Sequence, residues 1–406
     1  MIELNGKYNK AKVLVSDISK LEDKCVQQIQ NLLNQKFCEG SNIAIMPDTH
    51  AGAGCVIGFT QTITNKVVPN LVGVDVGCGM LVLKISAKEG KVLFNKSGLE
   101  KLDKVIRRNI PLGKKHRKSY HKFVENVHID QLRMDLNWKE LLYSVGSLGG
   151  GNHFIEVDVD SKGDYYIVIH SGSRHLGVEV CHHYQAKAIE HHSGQKEKNE
   201  LIEKLKSEGR EQDIQSELEK LEVESVPNEL AYLEGQDFED YLHDMKLAQE
   251  YAVWNRLAMM DEICEGMGIK KKAVLDEFCT IHNYIDTDTR ILRKGAISLT
   301  KDELAIIPIN MAYGSLIVRG KGNDEFNFSG PHGAGRLMSR TAAKNSLNMR
   351  DFKDSMKDVY TTSVCVDTID ESPMAYKSVD DILSNIGELC DVVETIKPIY
   401  NLKAKE

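Results

Sequence analysis

Long hydrophobic runs are missing from this chain. No apolar stretch in its 406 residues approaches the ~18–20 needed to cross a bilayer, which excludes a transmembrane helix. The N-terminus, MIELNGKYNKAKVLV, lacks a basic segment followed by an apolar one, so no secretory signal is expected. Positive charge is not in excess. There are 52 Lys+Arg against 60 Asp+Glu, a formal net charge of −8. That balance excludes a basic coat for nucleic acid over the whole surface, but not a local basic groove. Cysteine pairing is also missing. The nine cysteines are odd in number and scattered from Cys25 to Cys390, which argues for reduced thiols in a cytosol rather than a disulfide framework. No GxxxxGK[ST] phosphate loop occurs, GSLGGGNHF is not GxGxxG, and no KxDG lysine handle of an adenylating ligase is present.

The chain that remains reads as α+β. A strand or two precedes an amphipathic helix in which Leu21, Cys25, Ile29 and Leu32 recur at helical spacing. From Asn42 to Met80, short β-rich runs (IAIMP, CVIGFTQTIT, NLVGVDVG) alternate with glycine-dense turns, and residues 135–180 repeat that style. Residues 196–224 hold six basic and ten acidic side chains with leucines at helical spacing; Gly209 splits them into a flanking helical pair with a solvated charged face. The helix continues over 228–268, with a stripe through Leu242, Met245, Ala248, Ala252 and Leu257. Strands return over 279–319, a helix follows from Leu337, and 380–396 reads as a last helix. With no low-complexity linker and no clear repeat, one large mixed domain over 1–406 is expected, with a charged helical insertion at about 196–225.

Chemistry concentrates in a few places. In GVDVGCGM, Asp75 and Cys78 stand three apart among close glycines. Taken alone this is a tight turn with a buried cysteine. A carboxylate with a thiolate, however, suits Mn, Fe, Co or Zn better than Mg or Ca. His153, His170, His282 and His332 each sit where an apolar segment meets a polar or glycine-rich one. Imidazole is the commonest neutral metal ligand, and strand ends can hold ligands firmly. Four such histidines beside Asp75 and Cys78 point to a metal centre, with Cys78 a natural bridge between two ions. His332 stands apart, flanked by Gly330, Gly333 and Gly335 and followed by Arg336 and Arg340. Small neighbours make room for a large electrophile, arginines fork onto phosphate oxygens, and an unprotonated imidazole nitrogen can attack phosphorus. Arg174, in HSGSR, offers a second guanidinium. The segment KKHRKSYHK (114–122) has five Lys/Arg, no acid and one tyrosine, and is the best local site for a nucleic-acid backbone, though a solvated loop explains it equally well.

Eight motifs, in order and covering nearly the whole chain, resemble the RtcB family of GTP-dependent RNA-splicing ligases. They are MPDTHAGAGCVIG (46–58), GVDVGCGM (73–80), GSLGGGNHFIEV (146–157), HSGSR (170–174), HNY (282–284), RKGAIS (293–298), HGAGRLMSR (332–340) and SPMAYK (372–377). The resemblance implies a single RtcB-type α+β domain with a central metal and nucleotide cleft. It implies two Mn²⁺ held by Asp75, Cys78, His153, His170 and His282, with Cys78 bridging. It implies that His332 is guanylylated by GTP, with Asp48, Arg174 and Arg336 as further catalytic candidates. The GMP then activates an RNA 3′-phosphate end, itself derived where necessary from a 2′,3′-cyclic phosphate, for attack by a 5′-hydroxyl end. The guanine nucleotide is expected on Asn152, Phe154, Glu156, Asn283, Pro308, Asn310, Ser315, Ala334, Gly335, Tyr376 and Lys403. The chain departs from the family pattern at Asn310, where a serine is usual, at Pro331 before the nucleophile, and after Lys403, where glycine usually follows. These departures resemble a short bacterial paralogue group, for which a ribosome or release-factor homologue as partner is implied; the expected role is RNA repair or tRNA splicing, and the reduced thiols set the expected location as cytoplasmic. The alternatives are a metal-dependent RNA-end phosphoesterase and a non-catalytic RNA- or ribosome-binding factor.

Overall fold

Residues 1–221 and 226–404 are described by the structure, a computed structural model. The end of the expected charged insertion (222–225) and the last two residues of the expected domain (405–406) lie outside the described residues.

The chain opens with an antiparallel hairpin, β1 (Ile2–Asn5) and β2 (Lys10–Val13). Helix α1 (Asp23–Leu33) follows and buries Cys25, Ile29 and Leu32, as the spacing requires, before returning the chain to β3 (Ile43–His50), parallel to β2. Next come β4 (Ile57–Thr62) and β5 (Gly79–Ile85), then helices α2 (Ala87–Leu93) and α3 (Lys96–Asn109). β6 (Phe154–Val159) and β7 (Tyr165–Ser171) lead into α4 (His175–His191). The charged stretch forms α5 (Gln195–Ser207) and α6 (Ile214–Lys220), separated at Gly209, whose φ of 70° suits a residue without Cβ. Helix α7 (Gly235–Met267) then runs for 33 residues to Gly268, which caps it in the left-handed conformation.

Strands β8 (Val274–Ile281), β9 (Asn283–Asp286), β10 (Ile291–Lys294), β11 (Ala296–Ser298), β12 (Leu304–Asn310), β13 (Gly314–Gly320) and β14 (Ser329–Pro331) follow. Short helices α8 (Arg340–Ser346), α9 (Met349–Ser355) and α10 (Val379–Leu383) precede β15 (Cys390–Lys403). The expected helix over 380–396 is therefore corrected: only Val379–Leu383 is helical. Beyond Gly387 the β-branched Val392, Val393, Thr395 and Ile396 enter a strand held between β13 and β6, where tertiary pairing overrides local helical spacing. The helix expected from Leu337 begins at Arg340, because the Ser339 hydroxyl caps the Ala342 N–H.

One six-stranded sheet has the order β1-β2-β3-β4-β10-β9; an antiparallel seven-stranded sheet has the order β12-β13-β15-β6-β7-β5-β8; β11 and β14 pair separately. The larger sheet curls until its edges approach, and the Ile306 N–H of β12 donates to Thr280 Oγ1 of β8. Alternate residues divide between its faces. Met80, Val82, Val168, Ile306, Ile317 and Ile396 pack inside the curl. Leu81, Leu83, Ile85, Ile155, Val157, Ile167 and Ile169 meet α3 and α7 outside it. Helix α7 also touches β9, so it leans on both sheets.

The register of β6, β7, β5 and β8 creates the site. Phe154 pairs with His170, Gly79 with Ser171, and Gly79 with Ile281. In antiparallel neighbours, the start of one strand lies beside the end of the next. His153 (before β6), His170 (end of β7), Cys78 (before β5) and His282 (after β8) therefore arrive at one edge.

Candidate active site

Those ends carry a compact donor cluster. Cys78 Sγ lies 3.4 Å from His153 Nε2 and 3.2 Å from His170 Nε2. His170 Nε2 lies 3.4 Å from His282 Nε2, and His153 Nε2 lies 3.2 Å from Asp75 Oδ2. Two triads result, Cys78/His170/His282 and Asp75/Cys78/His153, which share the cysteine and whose ligand atoms lie within 4.8 Å of one another.

Burial keeps the imidazoles of His170 and His282 well below the usual histidine range, so both are neutral and carry lone pairs. Burial, with Asp75 adding to it, pushes the Cys78 thiol well up. Asp75 resists the same desolvation, because His153 and Cys78 beside it hold its carboxyl at about 2. The buried Nδ1 atoms of His153, His170 and His282 have no hydrogen-bond partner among the described residues. Crowded imidazole nitrogens, a thiol and a carboxylate are a poor hydrogen-bond network and a good ligand set; a cation would draw off the Cys78 proton. The backbone leaves room for it. A Cβ on Gly172 would fall 2.1 Å from Asp75 Oδ1, and one on Gly149 would fall 2.6 Å from His153 Nδ1.

Helix α7 holds the loops that carry these ligands, through two residues that sequence reasoning missed. Asn255 Oδ1 accepts from the N–H groups of Gly146 (2.8 Å) and Ser147 (3.0 Å), while its Nδ2 donates to Ser171 Oγ and Gly172 O. Arg256, fully buried, donates from Nη1 to Gly77 O (2.9 Å) and Ser171 O (2.6 Å). An Asn-Arg pair inside the apolar run 251–260 (YAVWNRLAMM) of that helix was the available signal, since such groups are buried only when bonded.

His332 follows β14 directly. Its Nδ1 lies 2.7 Å from Oδ2 of Asp48, which is fully buried on β3 and also accepts the His332 backbone N–H at 3.0 Å. With Nδ1–H donating to the carboxylate, Nε2 is left with its lone pair. The His332 ring centroid lies 4.9 Å from that of His282, so the candidate nucleophile stands beside the donor cluster. Pro331 pairs with Ala296 in the small sheet that delivers the histidine.

His332 also lines a cavity of about 250 Å³. Of the expected nucleotide residues, Asn152, Phe154, Glu156, Pro308, Asn310, Ala334, Gly335, Tyr376 and Lys403 line it, as does Arg336. Asn310 Oδ1 accepts from the N–H groups of Ala312 and Tyr313, so its side chain shapes its own loop. Asn283 and Ser315 are not among the lining residues. Asn283 instead donates to Asp75 O and accepts from the Gly295 N–H, bracing the donor cluster, and Ser315 is fully buried in β13. Arg174 also lies outside the cavity. It is held in a left-handed conformation (φ 58°), donating to Ser147 Oγ and Gly113 O against the loop that carries His153.

Among the polar residues that line the cavity, Glu371, His50 and Asn401 escaped the sequence reading. Glu371, almost fully buried, accepts from Tyr376 Oη (2.6 Å) and Lys403 Nζ (3.0 Å) and pairs with Arg336 (3.2 Å) and Arg340 (2.7 Å). Burial alone would raise its carboxyl, but Lys403 and Arg340 hold it at about 2. Glu156 behaves oppositely. Burial raises it to about 7, with Asn401 and Lys403 only partly opposing, and Asp158 behind it is pushed well up. His50 lines the mouth, kept to about 4 by burial.

Sequence comparison places this geometry among known proteins. A family model described as tRNA-splicing ligase RtcB matches residues 28–141 and 135–404. The chain is 31% identical over 411 aligned residues to the RNA-splicing ligase RtcB1 of Escherichia coli, covering 93% of each protein. It is 26% identical to the RNA-splicing ligase RtcB2 of Escherichia coli (96% of this chain, 94% of the relative) and 26% identical to the tRNA-splicing ligase RtcB of Aeropyrum pernix (89% and 87%). With motifs, ligand triads and full-length similarity in agreement, this chain belongs to the RtcB family.

Proposed function

We propose that this protein is an RNA ligase that joins 3′-phosphate or 2′,3′-cyclic phosphate ends to 5′-hydroxyl ends, with GTP as co-substrate and two Mn²⁺ ions, from a single catalytic domain with a central metal and nucleotide cleft. The observation that carries this reading is His332, oriented by the buried Asp48, at the meeting point of the cavity that the expected nucleotide residues line and the Cys78 cluster. Asp75, Cys78, His153, His170 and His282 would hold the ions, which supply Lewis acidity at the phosphates when bound.

The rest is work for the side chains. Asp48 keeps the His332 proton on Nδ1, so Nε2 attacks the α-phosphorus of GTP; a P–N bond forms and pyrophosphate leaves. Lys403 and Glu156 orient the base, and Phe154 packs beside it. An oxygen of the RNA 3′-phosphate then attacks the same phosphorus, the P–N bond breaks, and His332 is restored while the RNA end carries GMP through a pyrophosphate link. The 5′-hydroxyl attacks the RNA phosphate, GMP leaves, and the phosphodiester is complete.

Incubation with α-labelled GTP and Mn²⁺ tests this reading. Label bound to wild type and absent from His332→Ala, together with joining of paired RNA halves, supports it. Ring-opened or dephosphorylated ends without label would favour a phosphoesterase, and RNA binding with neither activity a binding factor.

A further inference from the structure

We propose that a basic groove beside the nucleotide cavity carries the sugar–phosphate backbone of a single-stranded RNA segment leading to the reacting end. The proposal rests on the ligase reading for its substrate, but its geometry is separate. A second cavity, of about 470 Å³, is lined by Arg107, Lys114, Lys115, Ser363, Thr368 and Lys403 among others, and no carboxylate among the described residues lines it. Lys403 also lines the nucleotide cavity, so the two spaces share a wall.

The loop that supplies the lysines is tied to the catalytic loops by backbone bonds. The Leu148 N–H donates to Pro111 O (3.0 Å), the Gly113 N–H donates to Gly149 O (2.9 Å), and Arg174 Nη2 donates to Gly113 O (2.6 Å). Gly149 lies four residues before His153. The lysine loop is therefore seated against the loop that carries His153.

The basic segment 114–122 divides in two. Three of its side chains are engaged by α7. Arg117 pairs with Glu262 at 2.6 Å, Lys122 with Asp261 at 2.7 Å, and His121 faces Asp261 at 3.3 Å. Lys114, Lys115 and Lys118 are exposed and make no ion pair among the described residues. Arg107, which also lines the groove, is engaged by Asp103 and Thr362. Tyr120, 48% exposed, leans on Tyr143 with ring centroids 4.4 Å apart and presents a face on which a base can stack. Separate, solvated lysines beside an aromatic face suit a sequence-tolerant grip on a phosphate chain. An acidic protein segment would find the same charges, but nothing would bring it to the wall of a cavity that must admit an RNA end.

The test uses the full chain and an oligoribonucleotide with a 3′-phosphate. In Lys114→Gln/Lys115→Gln/Lys118→Gln, the slope of log affinity against log salt should fall by about 2, since each single-strand phosphate contact contributes about 0.7. Affinity at low salt should fall at least about tenfold. The KM for RNA should rise while GMP labelling of His332 stays at the wild-type level. A control, Lys204→Gln/Lys206→Gln on α5, should change none of these. Bound RNA should also slow alkylation of Cys365, which lines the groove, but not of Cys279 on β8. Unchanged slope and affinity in a folded triple variant, or Cys365 alkylated equally fast with RNA bound, would overturn the proposal. Wild-type protein that binds RNA through these lysines yet takes no label from GTP would sink the ligase reading and leave the groove standing.

Discussion

The donor cluster and the Glu371 hub lie close together and are built in opposite ways. Around Cys78, imidazole nitrogens and a thiol crowd one another, and three buried imidazole Nδ1 atoms have no partner among the described residues. Around Glu371, one carboxylate is met by Lys403, Arg336, Arg340 and Tyr376. The first arrangement offers a set of ligand atoms that could hold a metal ion. The second is complete as it stands, and it fixes the positions of Lys403 and Tyr376 before any ligand enters. A buried polar group is tolerated when paired, which the Glu371 hub achieves with its own neighbours, whereas the Nε2 and Sγ atoms around Cys78 only crowd one another.

Four substitutions would break or sharpen that contrast. Cys78→Ala removes the atom common to both triads. Metal content by elemental analysis should fall close to zero and ligation by at least about a thousandfold, with the circular dichroism spectrum kept. Full activity in that variant would end the two-metal reading. Asp48→Asn should leave metal content unchanged but slow guanylylation by about a hundredfold to a thousandfold, because an amide no longer enforces the Nδ1–H tautomer of His332. A single-turnover labelling rate equal to wild type would remove Asp48 from the chemistry. Asn255→Ala strips the acceptor from two buried N–H groups. It should loosen metal binding by about tenfold to a hundredfold and destabilise the fold by about 2–4 kcal/mol, read by chelator competition and denaturant unfolding.

Glu371→Gln should affect chemistry least and stability in a pH-dependent way. Glu371 is held at about 2, below its ordinary 4.5. Its ionised form therefore favours the folded state, and that contribution, about 3 kcal/mol, is fully present above pH ~4.5. It is lost as pH falls towards about 2, so the stability gap between wild type and Glu371→Gln should narrow across that window. A gap that stayed constant from pH 6 to pH 3 would show that the hub does not act through this charge.

Much of this site was legible in the residues themselves. Asp75, Cys78, His153, His170, His282 and His332 could be named because each stands where an apolar run meets glycine, and strand-end positions are recognisable locally. The first helix was equally legible, since Cys25, Ile29 and Leu32 repeat on one face. Other features were not. Residues 390–396 carry a helical rhythm and form a strand, because β13 and β6 supply pairing partners that are distant in sequence. Glu371 reads as one more surface acid until Lys403 and Arg340 surround it. The bond from the Asn283 amide to Asp75 O is likewise visible only in the folded chain.

The amino-acid order alone thus settled which side chains are able to coordinate, attack or pair with phosphate, because those capacities belong to the functional groups. Their meeting belongs to the tertiary structure. Antiparallel register carries Cys78 to residues 75, 92 and 204 positions further along the chain, and Asn255 and Arg256 lock the loops there. Proximity across such separations is bought with the burial of two sheets and a long helix, and no local pattern encodes it.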